Sequence, residues 1–323
     1  MTSFAVPICL SLPAVDQKIR YACSYWPLTL GNLLLPHRLK PNRSLHYTAP
    51  VSITNRLRSA WHDLFQTSEN ASPVPYLYSQ SVGTLIYSKI FRGLGINFKN
   101  VRHVSHQVEY PDGVPPYVAA NRQLIDCKLD SCWKVDANKV LVELRTDVRS
   151  GKEGQGPVLA RITDSFIILD VPEAYADQFN TLDRRKMLTV LAPGAKRKAG
   201  QPQPAPRAVA AFHAPLDMGR RYGRVSGDSN PVHTSKFISN FFGIERPFMQ
   251  GLCLRNAVVG ALASHGIVAD KFSMNFMSPA LLGQTFEILI HEKNFAVQDQ
   301  AGTMVASGQF QGAAAGAKTP LAA

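Results

Sequence analysis

The residues of this chain best suited to chemistry lie between Tyr222 and His233, in the stretch Tyr-Gly-Arg-Val-Ser-Gly-Asp-Ser-Asn-Pro-Val-His. This stretch contains a carboxylate, Asp228, and an imidazole, His233, and both side-chain types transfer protons in enzymes. Taken alone, Ser-Gly-Asp-Ser-Asn-Pro is also a typical turn sequence, because each of its residues favours a chain reversal. A structural turn and an acid–base site are therefore both open interpretations of this segment.

The spacing of Asp228 and His233 bears on whether they can act together. On one continuous helix, two residues at this spacing would lie on different faces. Pro231 prevents such a helix and restricts the preceding Asn230 to extended geometry. A loop of this kind can turn both side chains toward one water molecule.

The residues after this segment show the pattern of a helix followed by strands. Apolar residues recur with helical spacing from about 251 to 264. Strand-like runs follow at 271–277, 285–292, 296–298 and 303–310, and residues 299–302 form the turn between the last two runs.

An earlier part of the chain repeats this order. Between residues 74 and 110 an approximate helical period predicts one buried helix that ends near Gly93 and Gly95. Strand-like runs follow at 124–133, 140–148 and 158–169, and a glycine-rich segment joins the last two as a hairpin. Two units of one helix and several antiparallel strands predict an α+β fold in which a sheet packs on a central helix.

The domain boundaries are predicted from changes in composition. Residues 1–72 are rich in proline and are predicted to form an ordered N-terminal arm that lies on the body, with a transit peptide as the alternative. Residues 73–180 form the first unit and 209–323 the second. Residues 181–208, rich in Pro, Ala, Lys and Arg, form the connector between them.

Composition and charge exclude several classes of protein. The net charge of +12 lies largely in residues 1–62 and 183–208, without the aromatic interleaving or motifs of a nucleic-acid binder. No apolar run is long enough to span a membrane. The five cysteines show neither a zinc-binding spacing nor the density of a disulfide scaffold. We expect reduced thiols and a cytoplasmic location, with mitochondria or peroxisomes as alternatives in a eukaryote.

The chemical segment and its surroundings resemble the signature of the MaoC-like dehydratase and (R)-specific enoyl-CoA hydratase family. The matching positions, in order, are Tyr222, Ser226, Gly227, Asp228, Asn230, Pro231, His233, Gly243 and Gly251. The stretch from Phe276 to Gly283 resembles the Phe-x-x-Pro-x-x-x-Gly segment of the same family. The resemblance covers about residues 213–310 and implies a double hot-dog fold, in which each antiparallel sheet wraps around a central helix. The first unit is similar to the degenerate half of such proteins, because it contains no second copy of the signature.

The resemblance also implies an activity and roles for individual residues. The activity is a lyase reaction of fatty acid metabolism, in which water is added to or removed from the 2,3-double bond of an acyl thioester, from trans-2-enoyl-CoA to (R)-3-hydroxyacyl-CoA. Asp228 and His233 would be the acid/base pair, and the Gly251 amide the oxyanion donor. Asn230 and Ser226 would position these groups.

The expected substrate is a thioester of CoA or of an acyl-carrier protein, and no cofactor is expected. Arg246 and Lys271 are candidate cations for its phosphates, chosen only because they lie nearby in the sequence. No metal site is expected, because His103 and His106 have no third ligand near them in the sequence. A homodimer is an open alternative to a monomer.

One departure from the family pattern leaves the function open. The family usually has His-Gly-Met where this chain has Gln250-Gly251-Leu252. The glycine amide is kept, but the preceding imidazole is not. A catalytically impaired protein that binds or scaffolds acyl thioesters is therefore an alternative, and a thioesterase of the same fold is a third.

Overall fold

A computed structural model describes residue 39 and residues 45–52, 55–65, 86–113, 122–151, 156–183, 207–228 and 230–314. Ten strands form one antiparallel sheet in the order β1-β3-β4-β5-β2-β7-β10-β9-β8-β6. Their bounds are β1 His46–Ser52, β2 Val101–Glu109, β3 Arg122–Asp136, β4 Lys139–Ser150, β5 Val158–Ile168, β6 Arg207–Ala214, β7 Ile267–Phe276, β8 Gln284–His291, β9 Asn294–Asp299 and β10 Met304–Ala314.

The sheet consists of two halves with the same internal order. The first half runs β1-β3-β4-β5-β2, and the second runs β7-β10-β9-β8-β6, which is the same order reversed. The halves join where β2 pairs with β7, with Ser105 opposite Asn275 and Glu109 opposite Lys271. The chain therefore contains two copies of one unit, and their strands form a continuous sheet.

Six helices accompany the sheet in the described part of the chain. They are α1 (Asn55–Phe65), α2 (86–93), α3 (Glu173–Ala176), α4 (Met218–Ser226), α5 (Lys236–Phe241) and α6 (Gly251–Ser264). α2 and α6 occupy equivalent places in the two units, each between the first strand of its unit and the remaining four. No helix in the described residues is long and apolar enough to cross a membrane.

The two central helices contribute to one continuous hydrophobic core. Their buried apolar side chains in this core are Ile86, Ile90 and Phe91 on α2 and Leu254, Val258 and Leu262 on α6. Full burial of such a side chain contributes about 1.5–3 kcal/mol to the free energy of unfolding. Because these residues belong to one cluster with the strands of both halves, the two units pack together as one body.

Part of the predicted N-terminal arm, residues 46–52 and 55–65, lies within the described residues. β1 is an edge strand of the sheet, in which the fully buried Ala49 pairs with Ile125 of β3. On α1, Trp61 is 1% exposed and packs against Val225. Both elements therefore pack on the body of the protein, as predicted for the arm, but β1 is part of the first unit's sheet, so this unit begins before the predicted boundary at residue 73. Pro50 is tolerated in β1 because an edge strand does not need every N–H group for pairing.

The ends of the predicted connector overlap described elements, and a strand that the sequence does not predict follows the first helix. At the connector's start the Leu182 N–H donates to the Lys134 carbonyl at 2.7 Å, and at its end β6 already begins at Arg207. Residues 184–206 lie outside the described residues. Helix α2 ends at residue 93, as predicted, and residues 101–109 form strand β2, which the sequence does not predict. A bulge in β2 near Val104 breaks the two-residue alternation that would have identified this strand.

The remaining predicted elements are confirmed. Helix α6 has the predicted bounds, and each predicted strand run overlaps one of β3, β4, β5, β7, β8, β9 and β10. In the glycine-rich hairpin the Ser150 N–H donates to the Pro157 carbonyl at 3.0 Å. Among the described residues, Cys127, Cys132 and Cys253 are free thiols.

Candidate active site

A cavity of about 470 Å³ lies between the two units, and the signature residues line it. The second unit contributes Ser226, Asp228, Asn230, His233 and Gly251 to its wall. The structure therefore brings together every residue that the sequence predicts for acid–base chemistry, oxyanion binding and positioning. Aromatic side chains cover much of the rest of the wall, namely Tyr87, Phe91, Phe98, Phe166, Tyr222, Phe242, Phe248 and Phe276.

The signature begins where helix α4 ends. Gly227 is the C-cap of this helix, with a φ of 80°, and its N–H donates to the Gly223 carbonyl at 2.8 Å. A positive φ at this position favours glycine, because other residues meet steric strain there. The hydroxyl oxygen of Ser226 then accepts a hydrogen bond from the Asp228 N–H at 3.1 Å. The chain thus leaves the helix and places Asp228 on the cavity wall.

The next residues form a short turn that carries His233. The Asp228 carboxylate accepts a hydrogen bond from the Asn230 N–H at 3.3 Å. Asn230 in turn caps the 3-10 turn Pro231–His233, because its side-chain oxygen accepts from the Val232 N–H at 3.3 Å. The polar residues of the signature therefore build the loop themselves, and the loop presents Asp228 and His233 to one cavity.

His233 is held in a defined orientation and tautomer. Its Nδ1 lies 2.9 Å from the carbonyl oxygen of Phe248, and its ring packs edge-on against the Phe248 ring. Because a carbonyl can only accept, Nδ1 carries the hydrogen, and Nε2 of the neutral ring has the lone pair. Burial lowers the pKa of His233, while the charge of Asp228 and the Phe248 carbonyl act in the opposite direction.

Gly251 provides the first residue of helix α6 at the same cavity. The first N–H groups of a helix have no partner within the helix, and the helix dipole favours negative charge there. A β-carbon on Gly251 would lie 3.0 Å from Cζ of Phe276. Glycine therefore lets the Phe276 ring pack close against the helix terminus.

Gln250, which replaces the usual family histidine, braces the signature loop. It is 2% exposed, and its Nε2 donates to the carbonyl of Gly219 at 3.1 Å and to that of Asp228 at 3.2 Å. Its side-chain oxygen is buried without a hydrogen-bond donor among the described residues. The amide therefore connects α4, the Asp228 backbone and the start of α6.

The structure does not bring the two candidate cations to the cavity. Lys271 lies in a separate surface groove and pairs with Glu109 at 2.8 Å. Arg246 pairs with its neighbour Glu245 at 3.2 Å and is not part of the cavity wall. Arg102 of the first unit does line the cavity, and nothing in its local sequence distinguishes it.

The first unit also contains a polar cluster that the sequence pattern does not reveal. Asp164 accepts hydrogen bonds from Nε2 of His103 and Nδ1 of His106, both at 2.8 Å, and from the Tyr87 hydroxyl. Asp164 therefore gives the two histidines a third potential metal ligand that is absent from their local sequence, and here the three side chains are joined by hydrogen bonds. Asp164 is far from both histidines in the sequence, so no spacing pattern could reveal it.

Two equivalent units in one sheet, with a cavity between them that the signature residues line, define a double hot-dog protein. Residues 192–311 match the family model of the MaoC like domain. A curated relative is the 3-hydroxyacyl-thioester dehydratase X of Mycobacterium tuberculosis, 28% identical over 101 residues. That alignment covers 29% of this chain and 36% of the relative, so the chain matches about a third of that protein's length.

Solved structures show the fold over most of the chain. HtdX of Mycobacterium tuberculosis has a TM-score of 0.60 at 16% identity, covering 82% of this chain and 100% of that one. A MaoC-like dehydratase from Phytophthora capsici has a TM-score of 0.60 at 17% identity, covering 84% and 96%. A conserved hypothetical protein of Mycobacterium tuberculosis, described as having a double hotdog fold, has a TM-score of 0.50 at 11% identity, covering 84% and 96%. The double hot-dog fold predicted from the sequence is confirmed.

Proposed function

We propose that this chain is a hydratase or dehydratase that adds water to, or removes it from, the 2,3-double bond of an acyl thioester. The reaction interconverts a trans-2-enoyl thioester and an (R)-3-hydroxyacyl thioester. One observation carries the proposal: Asp228, His233 and the N-terminus of α6 at Gly251 line one largely aromatic cavity. The stereochemistry is inferred from the family resemblance of the signature.

In the hydration direction, the proposed base is Nε2 of His233. The tautomer set by Phe248 leaves a lone pair on this nitrogen, so it accepts a proton from water as the water oxygen bonds to C3. The carboxylate of Asp228 holds the water and stabilises the imidazolium that forms, consistent with its raising effect on the pKa of His233. The imidazolium then returns the proton to C2, so that H and OH are added overall.

Charge on the thioester oxygen develops as C3 is attacked, and Gly251 is the proposed donor to it. Its N–H lies at the first turn of α6, where the helix dipole also favours an anion. Removing one such donor typically costs about 3 kcal/mol of transition-state stabilisation. Ser226 and Asn230 act as positioning residues, because their side chains bond the loop backbone around Asp228.

The proposed substrate is a thioester of CoA or of an acyl-carrier protein, with its acyl chain in the aromatic part of the cavity. Addition of water neither oxidises nor reduces the substrate, so the proposed reaction needs no redox cofactor. The acyl chain would contact both units, since the aromatic wall includes Phe91 and Phe166 of the first and Phe276 of the second.

A second candidate function is binding of acyl thioesters without turnover. Gln250 favours it, because its amide is used on two backbone carbonyls and supplies no imidazole to the site. The two candidates differ in the expected effect of Gln250→His. Under the binding hypothesis the wild type is inactive and the variant gains turnover, whereas under the hydratase hypothesis the wild type is already active.

The test is turnover of crotonyl-CoA and of longer enoyl-CoA and enoyl-carrier substrates, followed at the enoyl absorbance. We expect wild-type activity that falls by about 100-fold or more in Asp228→Asn and in His233→Ala, as for loss of a general acid or base. Asp112→Asn and His213→Ala, which change the same residue types outside the cavity wall, should retain full activity. Full activity in both site variants would contradict the proposal. Release of free CoA would instead indicate a thioesterase.

A further inference from the structure

The polar cluster of the first unit is built on an irregular strand. Residues three apart on a regular strand point to opposite faces of the sheet. In β2 the register shifts, so that His103 lies opposite Phe166 while Ser105 lies opposite Ser165. This bulge allows His103 and His106 to reach the same carboxylate, that of Asp164.

The contacts of His103 determine which of its nitrogens carries hydrogen. Nε2 lies 2.8 Å from the carboxylate of Asp164 and 3.0 Å from the carbonyl oxygen of Ser105. Both groups are acceptors, so Nε2 is the donor, and Nδ1 of the neutral ring has the lone pair. The two histidines hold the pKa of Asp164 well below its usual range against the effect of burial, so this carboxyl is ionised.

His103 is the member of the histidine–aspartate cluster that faces the cavity. The side chains of His106 and Asp164 are each 1% exposed, whereas that of His103 is 21% exposed and lines the cavity. The His103 ring stacks on Phe166, with ring centres 4.5 Å apart, and touches Phe276 at 4.8 Å. The cavity wall thus contains a second imidazole, that of His103, in addition to that of His233.

The position of His103 relative to Gly251 suggests which part of a ligand it meets. The Phe276 ring is close to both residues: its centre lies 4.8 Å from that of the His103 ring, and its Cζ atom would lie 3.0 Å from a β-carbon on Gly251. With the thioester oxygen at the Gly251 amide, an acyl chain that runs along Phe276 reaches His103 several carbons beyond C3. A plain hydrocarbon at that point would remove water from Nδ1 without replacing its hydrogen bond.

We propose that Nδ1 of His103 accepts a hydrogen bond from a hydroxyl group carried on the acyl chain, so that the cavity selects hydroxylated acyl thioesters. This inference rests on the proposed function, because it places the thioester at Gly251. A keto group fits less well, since it is an acceptor that meets an acceptor. A carboxylate on the acyl chain is also disfavoured, because the ionised Asp164 behind the His103 ring would repel it.

Binding of unreactive CoA thioethers tests the proposal without any turnover. Chains of equal length carry either no substituent, a hydroxyl or a keto group, placed in turn at each carbon from the fifth onward. By isothermal titration calorimetry at about pH 8, we expect a hydroxyl at one or two neighbouring positions to tighten binding about 10-fold or more over the plain chain. The keto analogues should bind no more tightly than the plain chain.

Three variants separate recognition from mere packing. His103→Leu should abolish the hydroxyl preference without weakening the plain chain, whereas His103→Gln, which retains a donor for Asp164 and an acceptor for the ligand, should restore part of it. The matched control Phe98→Leu should change the affinity of all analogues alike. Thermal unfolding verifies that each variant is folded.

Several outcomes would overturn the inference: no hydroxyl preference at any position in the wild type, a preference that survives in His103→Leu, or no measurable binding of any analogue. Turnover of plain enoyl-CoA substrates tests the proposed function separately. A hydroxyl preference in a protein without hydratase activity would therefore contradict the proposed function while supporting the recognition by His103. Hydratase activity in a protein without a hydroxyl preference would contradict only the recognition of the hydroxyl by His103.

Discussion

The α-carbon of Gly219 on helix α4 packs directly against the peptide carbonyl of His233. A β-carbon on Gly219 would lie 2.9 Å from the carbonyl carbon of His233 and would clash with its oxygen. The Gly219 carbonyl also accepts the hydrogen bond from Nε2 of Gln250. A glycine outside the recognised signature therefore allows α4, the His233 turn and the start of α6 to approach one another.

The Gly219→Ala variant should displace the turn that carries His233. We expect kcat/KM to fall about 10-fold or more and the free energy of unfolding to fall by about 1–3 kcal/mol, as for overpacking of a close contact. The control is Gly308→Ala, whose β-carbon would clash with the Ser273 carbonyl in the sheet, away from the cavity wall. Thermal unfolding and turnover per folded molecule are the measurements. Equal loss of activity in both variants would contradict a specific role for Gly219.

Replacement of Gln250 by leucine should weaken the brace between α4 and the Asp228 loop. Two backbone carbonyls would lose their shared donor, at a cost of about 1–3 kcal/mol for each buried group left unsatisfied. We expect kcat to fall more than KM rises, because Asp228 would shift from its position while the cavity would keep its shape. Gln178→Leu is the control, since this exposed amide also bonds a helix carbonyl. An unchanged kcat in Gln250→Leu would argue against the brace.

The pH dependence of turnover should reflect the burial of His233. Burial lowers its pKa, and the proposed base is the neutral form. Activity should therefore persist on the acid side below the ordinary imidazole value of about 6.5 and decline only at lower pH. The same shift means that His233 favours unfolding as the pH falls below about 6.5, where the unfolded chain binds more protons. A kcat/KM profile that declines at or above about 6.5 would contradict this prediction.

The parts of the site that the sequence predicts are those encoded by neighbouring residues. Ser226, Asp228 and Asn230 bond backbone groups two residues away, so the loop follows from its local sequence. Helix α6 is predicted with both ends, because an apolar segment with helical spacing begins at Gly251 and ends at a Ser-His-Gly stretch. Local rules are sufficient for these elements, since the partners lie within a few residues.

The parts that the sequence does not predict depend on distant partners. Asp164 and His103 are 61 residues apart, and only the pairing of β2 with β5 brings them together. Strand β1 contains a proline and is identifiable only from its pairing with β3. Arg246 and Lys271 show that closeness in the sequence does not ensure closeness in space. Both lie near the signature in the sequence, but neither lies at the cavity.

The substitution Asp164→Asn should destabilise the first unit. The substitution removes the charge that three donors share in a buried site, and breaking a buried ionic cluster costs about 3–5 kcal/mol. Because the pKa of Asp164 in the folded protein lies well below the unfolded value of about 3.9, its stabilisation is present above that pH and is lost at lower pH. Urea unfolding at neutral and acidic pH should show a difference between wild type and variant that narrows in acid. The exposed control Asp136→Asn should cost less than about 1 kcal/mol.

The buried thiols should resist alkylation although one of them adjoins the site. Burial raises the pKa of Cys127 to about 12 and that of Cys253, two residues after Gly251, well above its usual value. The thiolate is the form that reacts with iodoacetamide, and the raised pKa keeps both thiols protonated. Both side chains are also fully buried, so the reagent cannot reach them. Peptide mass spectrometry should find both residues unmodified in the native protein and alkylated after denaturation in urea, with turnover preserved during native treatment. Modification of Cys253 before unfolding would show that the start of α6 opens to solvent in the native protein and would contradict this prediction.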